Sequence, residues 1–474
     1  MTRIVLLSAL VAILPAQAEE DTRLKVHGKP GALPEGAVTE DWPRYLGATH
    51  DATSRETKLL KSWPASGPKI IWELARGQSY AAPTIAAGRL FSFDRAVADG
   101  EPGAEGNERL ECRDPETGKL IWDFKYPVKY RDRFGYASGP RAAPVIDGEL
   151  VFIAGVTAQL RALEVKSGKQ LWHRDLLEDY RHRLGFFGYG PSPVVWKDLV
   201  LVNVGGGGED GKKVCVAAFD RKSGEEKWRY LDSWGASYSS PVVRTILGRQ
   251  VLLVLAGGES RPATGGLLVI DPASGKLHFR FPWRADTFES VNASVPIVIG
   301  GKYVFLSECY AKGGVLLEFD ETLKAKPLWK ERMFGMHWMT PLERNGYIYG
   351  FAGRNKPDVQ FKCLRVADGK ILWQDDMRYE AEVNGRKMTL SFFRGSLLQA
   401  SGRMFALGED GVFAELELDP AGVKTLHRSQ LFVAEQSWAL PVIHRGLLYI
   451  GQHSRGFTDG SKPRLICYDF RARE

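Results

Sequence analysis

The fold is decided by residues 143–172, which read APVIDGELVFIAGVTAQLRALEVKSGKQLW. After Pro144, two short apolar segments flank the turn at Gly148, a third segment follows, and a Ser-Gly-Lys turn leads to a segment that contains Trp172. Apolar runs of this length, separated by glycine turns, are typical of short antiparallel strands. The stretch therefore predicts one four-stranded sheet.

The same unit recurs along the chain, which indicates a repeat architecture. Further copies begin at Pro83, Pro193, Pro241, Pro296, Pro341 and Pro441. The seventh copy is degenerate, because Leu397 takes the place of the proline and no tryptophan follows Asp419. The eighth copy stops after Asp469, before its last strand, whereas residues 69–72 (KIIW) resemble a last strand that precedes every copy.

These units predict an all-β, eight-bladed β-propeller of four-stranded blades over residues 42–474, with the ring closed by the N-terminal strand. Closure of the ring removes exposed sheet edges. We expect the recurrent tryptophan to anchor one blade on the next, because a large aromatic side chain buries roughly 150–250 Å². The expected anchors are Trp72, Trp122, Trp172, Trp228, Trp329 and Trp373.

The five cysteines also follow the repeat. Cys112, Cys363 and Cys467 share one register, two residues before Asp114 or its equivalent. Buried free cysteine behaves as a small apolar residue, and equivalent positions on adjacent blades are too far apart for a disulfide. We therefore expect free thiols.

The N-terminal residues have the composition of an export signal. In residues 1–18, Arg3 precedes a short apolar run, and Ala16 and Ala18 frame a small-residue cleavage site, so we predict a cleaved signal peptide and a periplasmic or secreted protein. Residues 19–41 are polar and rich in Gly and Pro, and are predicted to form a flexible leader. The sequence predicts no membrane span, no lipid anchor and a monomer.

Composition excludes some function classes. The 474 residues include 64 Lys and Arg against 57 Asp and Glu, a net charge of +7, without a basic run, so no nucleic-acid partner is expected. Hydrophobic residues make up 44% of the chain, as in ordinary globular proteins. No metal-ligand or nucleophile motif occurs at the required spacing.

Residues 114–122 (DPETGKLIW) resemble the repeat of the pyrroloquinoline-quinone (PQQ)-type propellers. Residues 42–47 (WPRYLG) and 60–63 (LKSW) are similar to the lead-in of exported bacterial members. The resemblance implies one of two classes: quinoprotein alcohol dehydrogenases, with PQQ and Ca²⁺ at the propeller axis, or non-enzymatic propellers that bind proteins, such as the lipoprotein of the outer-membrane β-barrel assembly machinery. The adjacent Cys pair common in the first class and the lipidated Cys of the second are both missing here.

A binding site is expected at the mouth of the central channel. Three residues before each proline or its equivalent stand Tyr80, Arg141, Gly190, Tyr238, Ala293, Trp338, Arg394 and Trp438, a ring that we expect to face the axis. The candidate cofactor- or ligand-binding residues are Arg141, Tyr238, Asn292, Trp338, Arg394 and Trp438. Arginine forks onto carboxylates and aromatic rings stack on flat groups, so an anionic or sugar-like ligand is indicated. The alternative is that the aromatic residues plug the channel and the arginines face water.

Metal and catalytic residues are harder to place. Glu289, Asn292 and Glu308 come nearest to an oxygen cluster for Ca²⁺, but no metal site is predicted. No catalytic residue is identified, and paired carboxylates for glycoside hydrolysis are not evident. The leading interpretation is an exported binding or scaffold propeller whose arginine- and aromatic-rich mouth holds a protein partner or a small ligand. The alternative is a PQQ- and Ca-dependent oxidoreductase.

Overall fold

The computed structural model of the protein describes residues 21–96, 105–181, 183–207, 213–290, 292–383 and 385–473. Eight antiparallel sheets, each with four core strands, form the blades of an all-β propeller, as predicted. The predicted signal peptide lies outside the described residues. In the part of the chain that the structure covers, no helix has the length and apolarity needed to cross a bilayer.

Each repeat copy forms one blade, and the blades are numbered 1 to 8 in chain order. Within each blade the strands are given from the innermost to the outermost. Blades 1 to 4 comprise Thr84–Ala86, Arg89–Ala96, Gly106–Arg113 and Leu120–Val128; Val145–Asp147, Leu150–Ala154, Gln159–Glu164 and Gln170–Asp175; Val194–Trp196, Leu199–Gly207, Lys213–Asp220 and Glu226–Asp232; and Val242–Ile246, Arg249–Ala256, Gly266–Ile270 and Leu277–Pro282. Blades 5 to 8 comprise Ile297–Ile299, Tyr303–Glu308, Gly313–Phe319 and Ala325–Glu331; Leu342–Arg344, Tyr347–Ala352, Gln360–Arg365 and Ile371–Asp375; Ser396–Ala400, Arg403–Leu407, Val412–Asp419 and Gly422–Gln430; and Val442–His444, Leu447–Gln452, Arg464–Asp469 and Lys69–Ala75. The other elements are the helix Leu176–Asp179, the hairpin Arg378–Val383 and Arg386–Ser391, and the short strands Leu24–Val26 and Thr53–Ser54.

The ring closes as the sequence predicts. Lys69–Ala75 pairs antiparallel with Arg464–Asp469, so the outer strand of the last blade comes from the N-terminal part of the chain. Leu24–Val26, within the stretch predicted to be a flexible leader, adds a fifth strand outside Lys69–Ala75. A segment of three residues is too short for its sequence pattern to predict a strand. It forms one here because the outer edge of Lys69–Ala75 offers unpaired backbone N–H and C=O groups.

Five of the six predicted tryptophan anchors lie over a glycine of the next blade, whereas Trp373 only donates a hydrogen bond to the Asp419 carbonyl of blade 7 at 2.9 Å. The Trp122 indole donates a hydrogen bond from Nε1 to the Val165 carbonyl at 3.0 Å. A Cβ added at Gly168 would lie 2.6 Å from the Trp122 ring, so the glycine leaves the space that the indole fills. The same pair of contacts joins Trp72 to Pro115 and Gly118, Trp172 to Arg221 and Gly224, Trp228 to Pro272 and Gly275, and Trp329 to Val366 and Gly369. The Gly of the Ser/Thr-Gly-Lys turn is therefore a packing residue as well as a turn residue.

The degenerate seventh blade uses an indole from elsewhere in the chain. His427 pairs with Glu415 and occupies the register of the tryptophan in the other blades. The Trp63 ring centroid lies 5.3 Å from that of His427 and 5.2 Å from that of Phe470 in blade 8. Trp63 thus fills the junction between blades 7 and 8.

The cysteines lie where the repeat predicts. Cys112, Cys363 and Cys467 are buried opposite Trp122, Trp373 and Trp72 in the neighbouring strand. All five cysteines carry free thiols.

The contact between indole and glycine can be tested with two alanine variants. Gly168 and Gly148 both have positive φ, +72° and +60°, but a Cβ at Gly148 meets nothing within 4 Å. Gly148→Ala should cost about 1–2 kcal/mol of unfolding free energy through backbone strain alone. Gly168→Ala should cost about 1–3 kcal/mol more, because its methyl group displaces the Trp122 ring. Urea denaturation of both variants checks this, and equal losses would contradict the packing role of Gly168.

Candidate functional site

The loops that lead into the innermost strands surround an open cavity of about 190 Å³ at the channel mouth. Seven of the eight positions that lie three residues before the proline line it: Tyr80, Arg141, Gly190, Tyr238, Ala293, Trp338 and Trp438. The shared register explains the convergence, because each of these seven residues stands four residues before the first residue of an innermost strand. The eighth position, Arg394, contacts two of the lining indoles.

The floor of the cavity comes from the N-terminal segment. Tyr45 lines the cavity and packs against Ala82, Ala143 and Ala439. The adjoining Pro43 carbonyl accepts a hydrogen bond from Ile146 N at 2.8 Å, at the far end of an innermost strand. The segment therefore reaches into the channel from the face opposite the mouth.

Arg394 is paired and stacked rather than free. Its Nε donates to Glu409 Oε2 at 2.9 Å, and its Nη2 donates to Oε1 of the same carboxylate. The guanidinium carbon lies 4.8 Å from the Trp338 ring centroid and 5.0 Å from that of Trp438. The side chain is 12% exposed and Glu409 is 1% exposed, so the arginine holds the two indoles and does not face water.

Arg141 also forms its ion pair inside the protein. Its Nη2 donates to Asp132 Oδ2 at 2.9 Å and to the Ala137 carbonyl, while Nη1 donates to the Gly139 carbonyl at 2.9 Å. The Asp132 side chain is fully buried. Among the described residues that line the cavity, Arg141 is the only charged one. Both arginine forks are therefore engaged by the protein's own carboxylates.

Tyr238 is fixed by a carboxylate of the neighbouring loop. Its hydroxyl donates to Glu259 Oε1 at 2.7 Å and accepts from Phe187 N at 3.1 Å. Glu259 also accepts from Phe186 N at 3.0 Å. Burial, and then the Glu259 charge, raise the pKa of Tyr238 well above its usual value, so the phenol is neutral.

The structure places Asn292 away from the cavity. The side chain is fully buried, and its Nδ2 donates to the Ala256 carbonyl at 2.7 Å and the Trp283 carbonyl at 3.2 Å. Its backbone carbonyl accepts from Tyr238 N at 3.0 Å. Asn292 therefore connects two mouth loops, and the next residue, Ala293, faces the cavity.

A continuous series of aromatic rings lines part of the mouth. The Trp438 ring centroid lies 4.6 Å from that of Trp338, 4.8 Å from that of Tyr80 and 5.6 Å from that of Tyr136. Phe187 continues the wall between Tyr136 and Tyr238. The rings pack on one another, yet they leave the cavity open beside them.

Three polar atoms on this wall have no hydrogen-bond partner. They are Nε1 of Trp338, Nε1 of Trp438 and Nδ1 of His337, all buried. Burial, followed by the charges of Arg394 and Arg354, lowers the pKa of His337 to about 3, so its imidazole is neutral at physiological pH. Buried donors and acceptors without partners are costly to the folded state.

The oxygen cluster considered for Ca²⁺ does not assemble. Glu308 accepts hydrogen bonds from Ala285 N at 2.8 Å and from the Ser290 hydroxyl. Its carboxylate therefore stabilises the mouth loop that contains residues 285–290. Asn292 binds backbone carbonyls instead. Within the described ranges, no three His, Cys, Asp or Glu side chains are grouped for a metal ion, and no carboxylate lines the cavity. This donor set does not fit PQQ with Ca²⁺, because Ca²⁺ takes 6–8 oxygen ligands.

Several site residues could not be placed from the sequence. Asp132 and Glu409 lie in mouth loops whose sequences do not repeat, so no register identifies them as arginine partners. Tyr45 is separated from the repeats, and only the likeness of residues 42–47 to a family lead-in drew attention to it.

A family model described as "Outer membrane protein assembly factor BamB" matches residues 106–375, more than half of the chain. The chain belongs to the PQQ-like β-propeller family. This PQQ-like propeller is 24% identical to the outer membrane protein assembly factor BamB of Burkholderia pseudomallei over 392 residues, 79% of this chain and 87% of the relative.

Enzymes of the same superfamily match over a shorter stretch. Identity to the quinohemoprotein alcohol dehydrogenase ADH-IIG of Pseudomonas putida is 27% over 228 residues, 47% of this chain. The match spans only 28% of that enzyme's length. The crystal structure of BamB from Moraxella catarrhalis superposes with a TM-score of 0.54 at 13% identity, covering 86% of this chain and 99% of that one, which shows the shared fold.

The buried carboxyl group of Glu308 predicts that the stability of the protein depends on pH. Burial raises the pKa of Glu308 from 4.5 to about 7, so the folded state binds its proton more tightly than the unfolded state. The stability from this proton is complete below the unfolded pKa and is lost as pH rises through about 7. Glu308→Gln, which mimics the protonated acid, should therefore lose less unfolding free energy than wild type between about pH 5 and pH 8.

Urea denaturation across this pH range measures the effect. Glu321→Gln, at an exposed carboxylate, is the matched control and should follow wild type. A Glu308→Gln profile parallel to wild type would contradict the elevated pKa.

Proposed function

We propose that the protein is an exported, non-catalytic binding propeller that holds a ligand or a segment of a partner protein in the mouth cavity. One observation carries the proposal: loops from seven positions of the ring converge on a single open cavity. The buried indole N–H groups of Trp338 and Trp438 in its wall lack acceptors. Such a pocket, apolar with a few polar groups, has the character of a ligand site.

The similarity to known proteins supports a binding function rather than a catalytic one. The relative that this chain matches along most of its length is named as an assembly factor, whereas the enzyme match covers less than a third of the enzyme. A dehydrogenase also needs a base beside its cofactor and substrate. No carboxylate lines the described cavity, and the imidazole of His337 has a pKa of about 3, too low for a base at neutral pH.

Site-specific photo-crosslinking tests the proposal. A photoreactive residue at position 134, where Phe134 is 54% exposed and its ring lies 5.5 Å from that of Phe187, should capture a partner in cells of the source organism. The same residue at position 171, on an outer strand where Leu171 is 40% exposed, is the control and should not. Trp438→Ala should abolish the adduct at 134.

Calorimetric titration with PQQ, with and without Ca²⁺, tests the oxidoreductase alternative on the same protein. We expect no calcium-dependent binding, because both arginine forks are paired. Stoichiometric, calcium-dependent binding that is lost in Arg394→Ala would overturn the proposal and favour the oxidoreductase.

A further inference from the structure

The rim of the mouth cavity carries a cluster of four phenylalanine rings. Phe134 is 54% exposed, and its ring centroid lies 5.2 Å from that of Phe186 and 5.5 Å from that of Phe187. The Phe288 ring extends the cluster, with its centroid 5.5 Å from that of Phe186. Phe187 also lines the cavity. The four rings, called here the rim cluster, therefore form one apolar surface that runs from solvent to the cavity.

Carboxylates fix the loops that present the rim cluster. The backbone N–H of Phe134 donates to Asp132 Oδ1 at 2.9 Å, and the backbone N–H of Phe186 donates to Glu259 Oε1 at 3.0 Å. Loops that are already ordered lose less conformational freedom when a partner binds. The rim cluster is therefore a preorganised surface.

Free positive charge lies in the same loops. In residues 131–140, 183–190, 257–264 and 283–290, the exposed charged side chains are Arg131, Arg133, Arg183, Arg261, Asp286 and Glu289. None of the four guanidinium groups forms a hydrogen bond or an ion pair within the part of the chain that the structure describes. In this respect they differ from Arg141 and Arg394, which are paired with buried carboxylates.

The charge is unevenly distributed along the rim cluster. Arg133 directly precedes Phe134 in the chain, within the roughly 8–10 Å over which charges act at moderate salt. Phe288 is flanked by the two exposed carboxylates, while the guanidinium carbon of Arg261 lies 4.9 Å from its ring centroid. The Phe134 end is therefore the more positive one.

We propose that the rim cluster docks an acidic segment of a partner protein that carries an aromatic side chain, a proposal that rests on the proposed function. Aromatic rings gain energy from tilted and edge-to-face contacts with other rings. Carboxylates form charge-assisted hydrogen bonds with free guanidinium groups. The acidic residues of the segment lie at the Phe134 end, and its aromatic side chain packs against Phe187 at the entrance of the cavity.

An extended chain fits this surface better than a flat membrane does. Phe186, Phe187 and Phe288 are half-buried, and the series of rings leads into a concave cavity. Binding to the surface of a bilayer requires an apolar face that enters the lipid. Of the four rings, only that of Phe134 is exposed enough to do so.

Fluorescence polarisation of the full chain with short peptides tests the proposal. The probe is the peptide Gly-Asp-Glu-Asp-Phe-Asp-Glu-Asp-Gly with blocked ends. One control peptide has Lys in place of every acidic residue, and the other has Gly in place of Phe. The acidic phenylalanine peptide should bind at least about tenfold more tightly than either control, because it alone matches both the charge and the rings. Its affinity should fall as the salt concentration is raised.

Charge reversal provides matched variants. Arg133→Glu should weaken binding of the acidic phenylalanine peptide roughly tenfold, because repulsion replaces attraction. Lys166→Glu makes the same change in net charge at an exposed turn between the outer strands of blade 2, and it should leave binding unchanged. Equal losses in the two variants would mean that binding follows net charge alone, and would contradict the proposal.

The aromatic contact has its own pair of variants. Phe134→Ser should weaken binding of the acidic phenylalanine peptide roughly threefold or more, because the peptide ring loses a contact. Leu171→Ser, at an exposed apolar residue on the outer strand of blade 2, should bind like wild type. An unchanged affinity in Phe134→Ser would contradict the role of the rim cluster.

The outcomes separate this proposal from the proposed function. If position 134 crosslinks to a partner but the acidic phenylalanine peptide binds no better than its controls, the rim proposal is overturned and the binding function stands. Binding to phosphatidylglycerol vesicles that is lost in Phe134→Ser, without binding of the peptide, would overturn it in favour of a lipid surface. If neither a crosslink nor peptide binding is found, both proposals fail.

Discussion

The contact between an indole and a glycine of the next blade is the interaction on which the architecture depends. Neighbouring blades of a propeller contact each other through their faces. A specific contact at this interface is needed to fix the angle between the blades. The Trp122 ring packs on Gly168, and its hydrogen bond to the Val165 carbonyl fixes the orientation of the indole on the next blade. Among the described residues this contact recurs at five of the eight junctions between blades, and residues before the innermost strands converge on the cavity at the axis.

Buried carboxylates determine the chemistry of the mouth that this geometry creates. Asp132, Glu259, Glu308 and Glu409 each accept hydrogen bonds from a mouth loop or from a side chain that it carries. They hold irregular loops in place without regular secondary structure, and two of them, Asp132 and Glu409, also cancel the charges of Arg141 and Arg394. The two arginines of the axis-facing ring are therefore neutralised within the structure.

The sequence predicts what the repeat controls and misses what lies outside it. Blade number, strand order, ring closure, tryptophan packing and free thiols all follow from residues in a common register. The ring of axis-facing positions follows for the same reason, and seven of its eight members line the cavity. Asn292 lies one residue outside that register, and its side chain binds backbone carbonyls instead of facing the cavity. The partners of Arg141 and Arg394 come from loops without a repeat, where only tertiary packing decides which side chains meet.

The N-terminal segment has a consequence for the order of folding. Lys69 pairs with Asp469, which lies 400 residues later, and Trp63 packs between Phe413 and Phe470. Synthesis delivers the N-terminal strand first and its partner last, so this strand has no sheet to join while the intervening blades form. Closing so long a loop is slow, because its entropy is lost before the contacts form. A chain truncated near its C-terminus would keep most of its blades but leave this apolar segment uncovered, as a target for chaperones and proteases.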